Sequence, residues 1–285
     1  KLNYSDIYSR VNSGGVGKAG DINITAGSVE IADGSNLQSR TLGEGNAGNI
    51  NITARDEVKF AGIRDGFVSI ATSGVRNGAV GDAGDINITV NNGSLNLQDD
   101  SQLVTTVSGD GSAGNVNINA KNSVVSNDGT ISTRVEFAEN NPLAASNGGN
   151  INIETSILQM SNDARLDIRN NQQGTPGEVN IKADTVSLNG STINAGSILE
   201  NAGDVNIKAS DSIALADSQI LTSVLSGNGT GGNIVIDAQS LLSDNSILGG
   251  AQFRGINSSG SAGNITLKTN EFVTLDNSSN VSVSA

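Results

Sequence analysis

The chain has 285 residues, 16% of them charged and only 2% aromatic, with 36 Gly, 2 Pro, no Cys, no His and no Trp. The absence of Cys and His excludes disulfides, thiol nucleophiles, zinc fingers, iron–sulfur sites and Ser-His-Asp chemistry. A net charge of −13 argues against nucleic acid as a partner, because a phosphate backbone needs a basic surface.

The first run with strand character is Ser5–Val11, and it aligns with Ser35–Thr41. From Gly20 onward the chain becomes periodic. A Gly is followed by Asp, Asn or Glu, then an aliphatic, a polar residue and another aliphatic. This anchor opens at Gly20, Gly48, Gly84, Gly114, Gly149, Gly177, Gly203, Gly232 and Gly263, spaced 26 to 36 residues apart. A fixed internal period is the mark of a repeat architecture.

Each repeat holds three runs that alternate with period two, as strands with one buried face do. In the first full repeat these are Asp21–Thr25, Ser28–Ala32 and Asn36–Leu42. Ile22, Ile24, Val29, Ile31 and Leu37 are read as pointing inward. Ala26-Gly27, Asp33-Gly34 and the loop 43–47 are read as the turns between runs.

The second run recurs as Val58/Phe60, Leu95/Leu97, Leu158/Met160, Val186/Leu188 and Ile213/Leu215. The third recurs as Val68/Ile70, Leu103/Thr105, Ile131/Thr133, Leu166/Ile168, Ile220/Thr222 and Val281/Val283. Val124-Val125 and Leu241-Leu242 break the alternation, and a bulge or register shift is expected there.

One triplet of strands cannot bury its own apolar face. Stacked triplets can, and the expected fold is an all-β parallel β-helix of three strands per coil and nine to ten coils. At about 4.8 Å per coil the rod is roughly 45 Å long. A propeller fits less well, since its blades carry four strands over about 40 residues. The longest loops, 74–83 and 135–148, follow third runs, so protrusions are expected along one edge. The chain starts and stops within third runs with no capping helix in the sequence, which reads as one β-helix segment of a longer rod. No run of 18 apolar residues is present to span a bilayer.

The Gly-Asn-Ile-Asn-Ile-(Thr) anchor, runs such as Ser94-Leu95-Asn96-Leu97-Gln98-Asp99, and third runs ending in Ser and Thr resemble one family across essentially the entire chain. This is the filamentous-haemagglutinin-like exoproteins of two-partner secretion, in particular the repeat-rich cyanobacterial-type adhesins. The resemblance implies a right-handed solenoid, a hand that the general crossover preference also favours. It implies export through an outer-membrane secretion partner and a secreted or cell-surface adhesive rod or filament. Partners would then be cell-surface or matrix components, glycans among them, with end-to-end self-association of rods. The family's secretion domain is not visible in this sequence, and the family carries no catalytic residues to transfer.

Four groups of residues are candidates for chemistry. Asp33, Asp99-Asp100, Asp163, Asp217 and Asp276 follow second runs, where they either cap turns or stack carboxylates for Ca²⁺. Asn23, Asn51, Asn87, Asn117, Asn152, Asn180 and Asn206 would stack in one outward column, either as a structural amide ladder or as a polar face for carbohydrate hydroxyls. Arg64-Asp65, and Arg134 with Glu136 and Glu139, are the two local acid–base mixtures that a polysaccharide-degrading β-helix would need. The expectation is no enzymatic activity, no catalytic, cofactor or metal residues, and a structural or adhesive rod. A Ca²⁺- or carbohydrate-binding module is the alternative.

Overall fold

A computed structural model describes residues 1–136, 146–198, 201–225, 229–250 and 260–284. It is all-β, and successive repeats stack as the coils of a parallel solenoid. The first and second runs together form an 11-stranded sheet, and the third runs form a 10-stranded sheet. Every pairing between coils is parallel, as in Asp6–Val11 on Asn36–Thr41 and Ile151–Ser161 on Val179–Asn189.

The interior consists of aliphatic columns. Ile22, Ile50, Ile86, Val116, Ile151, Val179, Val205 and Ile234 stack in register and are buried. Second-run residues such as Val58, Leu95, Val124 and Leu158 form another buried column. A third is built from Leu37, Ala71, Leu103, Ile131 and Leu166. Each buried Val, Leu or Ile contributes about 1.5–3 kcal/mol relative to exposure, so stacking rather than any single coil holds the fold.

Four local expectations are corrected. The turn at Ala26-Gly27 does not separate two strands: Ile22–Ala32 is one strand that bends, and the ladder shifts register between Ala26 and Ser28. The same shift recurs before Ser123, Thr185, Ser212 and Ser240, because the spacer between inward residues changes length from coil to coil.

No bulge falls on Val124-Val125 or Leu241-Leu242 themselves; the expected register shift lies just before each pair, between Ala120 and Ser123 and between Ala238 and Ser240. Pairing is continuous there, and Ser126 and Ser243 take the second inward position, fully or almost fully buried. Ser126 Oγ donates to the Gly129 carbonyl at 3.2 Å, which makes a buried hydroxyl tolerable.

In the Gly48 repeat the inward residues of the third run are Ala71 and Ser73, not Val68 and Ile70. Val68 instead pairs with Ile63 in a small antiparallel hairpin, Ile63–Arg64 against Phe67–Val68. Insertions are therefore not confined to the corner after the third run. Of the two long loops, residues 137–145 lie outside the described residues, and Gly74 belongs to the strand Ile70–Val75.

The anchor glycines follow from this stacking. A Cβ on Gly48, Gly84, Gly114 or Gly149 would overlap the backbone carbonyl of the anchor glycine one coil earlier. Inward Ser and Thr of the third run tie the same corner. Ser73 Oγ donates to the Gly48 carbonyl at 3.0 Å and accepts from the Gly84 N–H at 2.8 Å. Thr133 and Thr222 donate to the carbonyls of Gly149 and Gly232 at 2.6 and 2.7 Å.

Candidate functional site

The asparagine column forms as the spacing predicts. Asn51 Nδ2 donates to Asn23 Oδ1 at 2.8 Å, and the bond repeats from Asn87 to Asn51, Asn117 to Asn87 and Asn152 to Asn117. It continues from Asn180 to Asn152 at 3.1 Å and from Asn206 to Asn180 at 3.0 Å. Val235 occupies the next register position and has no amide to extend it.

A second ladder runs beside it. The residue after the anchor glycine accepts the backbone N–H of its counterpart in the next coil at Asp21, Asn49, Asp85, Asn115, Asn150, Asp204 and Asn233. Asp21 Oδ1 takes Asn49 N–H at 2.8 Å, Asn49 takes Asp85, and Asp85 takes Asn115 at 2.7 Å. Asn115 takes Asn150 and Asn150 takes Glu178, both at 2.8 Å. Every acceptor is Asp or Asn, a short side chain with an acceptor oxygen, and no such bond to Glu178 is found among the described residues.

Next to the asparagine column lies a second outward column, Thr25, Thr53, Thr89, Asn119, Glu154, Lys182, Lys208 and Asp237. From Asn87 and Thr89 to Asp237 the two columns line an open groove of about 620 Å³ on the first-run face. Lys182 Nζ lies 2.6 Å from Glu154 Oε1 and Lys208 Nζ 3.7 Å from Asp237 Oδ2. The hydrogen bond to Glu154 holds the Lys182 ammonium above its usual pKa. Each interior ladder amide uses its oxygen and one N–H within the column, leaving one N–H per coil for an outside acceptor.

The aspartates after the second run have a different role. Asp33, Asp99, Asp100, Asp163 and Asp217 all adopt left-handed backbone, with φ between 49° and 64°, and Asp128 joins them at 61°. Asp and Asn tolerate that conformation better than other side-chain-bearing residues. Asp276 is the exception: it ends its strand, and Asn277 and Ser278 take the positive-φ turn. No group of three or more acids close enough to hold a metal ion is found among the described residues. Asp128 does sense its neighbours. Burial, then the carboxylates of Asp100, Asp163 and Asp99, raise its pKa.

Of the two acid–base mixtures, Arg64 and Asp65 pair at 3.9 Å, and Arg134 does not pair with Glu136. Arg64 and Asp65 sit on the exposed hairpin, where Arg64 lies 4.1 Å from the Tyr4 ring centroid and Tyr4 Oη donates to Asp65 at 3.3 Å. Glu136 accepts from Asn171 Nδ2 at 3.0 Å, and Glu139 lies outside the described residues. Arg134 instead faces Asp167, at 3.4 Å from its Nε. Asp167 also lies 3.5 Å from Arg169 Nη2 and accepts from Asn194 Nδ2 at 2.8 Å. Little in the sequence marks this buried carboxylate, because its partners come from three different coils.

No helix among the described residues is long and apolar enough to cross a membrane. Comparison of the chain with protein-family models, with curated proteins and with solved structures finds no significant match.

Proposed function

We propose that this chain is a non-catalytic, stiff rod segment of a secreted or cell-surface protein, spacing or presenting adhesive parts. The observation that carries the reading is the stacking: two parallel sheets run coil over coil, with the asparagine ladder from Asn23 to Asn206 beside them. Force along the axis is shared by all the strands of a coil. The negative charge keeps rods apart in solution.

Electron microscopy of the purified chain should show particles about 45 Å long. Removing two whole coils, residues 149–202, should leave a folded rod about 10 Å shorter. Labelling of intact producing cells and of their medium with antibody should find the chain outside the cytoplasm. A cytoplasmic location, or hydrolysis of glycans by the purified chain, would refute the proposal. The first-run groove favours carbohydrate binding as a second reading, since its free amide N–H groups recur once per coil beside Lys182 and Lys208. Glycan-array binding abolished by K182Q/K208Q would support it.

A further inference from the structure

The outward face of the third-run sheet differs chemically from the rest of this acidic rod. Arg10, Arg40, Arg134 and Arg169 occupy one outward column, with Gly74 and Thr106 at the two positions between. Toward Arg169 the column is internally neutralised. The carboxylate of Asp167, one column over and buried, lies among Arg134, Arg169 and Asn194.

Toward Arg10 the same arrangement lacks its carboxylate. The positions equivalent to Asp167 are Tyr8, Gln38 and Thr72. None of Arg10, Arg40 and Arg76 forms an ion pair among the described residues. Arg40 is half-buried, and its Nε has neither solvent nor a hydrogen-bond partner. Burial, then the nearby Arg76, push its pKa down to about 10, and only Tyr8 acts the other way. Gly74 leaves the next position in the column without a side chain. Tyr8 is 55% exposed, and its hydroxyl is tied to Asp6 at 2.8 Å.

We infer that Arg10, Arg40 and Arg76 form a binding site for the carboxylate of an acidic sugar, with the Tyr8 ring as the platform beside it. Asp167 is the internal precedent: on this face, between these columns, arginines take a carboxylate. Guanidinium forks match a planar carboxylate. The exposed aromatic ring favours a sugar over an aspartate from a second copy, because a sugar ring packs on an aromatic face. The inference deepens the adhesive part of the proposed function. Binding by the purified chain is independent of where the rod is displayed, so the two can fail separately.

Calorimetric titration with oligogalacturonate, its methyl ester and dextran sulfate tests the site. Oligogalacturonate should bind and the uncharged ester should not. The double variant R10Q/R76Q, at two exposed positions, should weaken binding by about tenfold or more while leaving the melting midpoint unchanged. Arg40→Lys, which keeps the charge and loses the fork, should weaken it too, and Arg55→Gln, whose guanidinium pairs with Asp56 outside the site, should not. Equal binding of the ester, full binding by R10Q/R76Q, or binding of dextran sulfate alone would overturn the inference. Arginine-dependent dimers in sedimentation would also overturn it, assigning these residues to a second copy.

Discussion

The corner at the anchor glycines and the corner at the aspartates both turn the chain once per coil, but they constrain it differently. At the anchor corner Gly48, Gly84, Gly114 and Gly149 do not have positive φ. Their conformation is open to any residue, and what excludes a side chain is the carbonyl of the neighbouring coil. At the aspartate corner the backbone is left-handed, and Gly62 and Gly190 do there what Asp33, Asp99 and Asp217 do elsewhere. One corner is limited by space between coils, the other by the torsions of a single residue. A repeat can therefore exchange Asp, Asn and Gly at the second corner while holding Gly at the first.

The sharpest way to break this comparison is to add one methyl group at the anchor corner. Gly149→Ala should cost about 3 kcal/mol or more in urea unfolding, since overpacking against backbone cannot relax cheaply. A cost under about 1 kcal/mol there would remove the steric account. The asparagine ladder lies between the extremes. Asn117→Ala deletes one bond given and one received, and should cost about 1–2 kcal/mol in the same assay.

Smaller still is Asp217→Gly, which keeps the left-handed turn but loses the bond from Asn245 Nδ2 at 2.6 Å. It should stay within about 1 kcal/mol of the parent. The least effect is expected from Asp128→Asn. Its raised pKa means that the folded chain holds this proton more tightly than the unfolded chain. The group thus favours folding below the ordinary carboxylate pKa, and that contribution is lost as pH rises through the raised value. The Asn variant should melt slightly higher at neutral pH and match the parent in acid, as read by circular dichroism.

Much of the fold was legible because period-two alternation and a recurring Gly mark which side chains face inward. Ile22, Val29, Ile31 and Leu37 are assigned inward from alternation alone and are buried. The asparagine ladder was legible for the same reason. Reading failed where a coil departed from the common length. Ile70 alternates as well as Ala71 does, and only the hairpin inserted before it sets the phase. Ser126 was hidden because a buried hydroxyl looks outward on a hydropathy pattern, until Gly129 is seen to accept its proton.

By itself the sequence determined the strand content, the inward columns of each coil and the place of the anchor corner, because these depend on residues within one repeat. Only the tertiary structure decided which residues from different coils meet: Arg134 and Asn194 around Asp167, and Arg40 beside Arg10 and Arg76 with no carboxylate between them. The reason is geometric. Neighbours across the ladder are a whole coil apart in the chain, coils differ in length, and the register that aligns them is fixed by stacking.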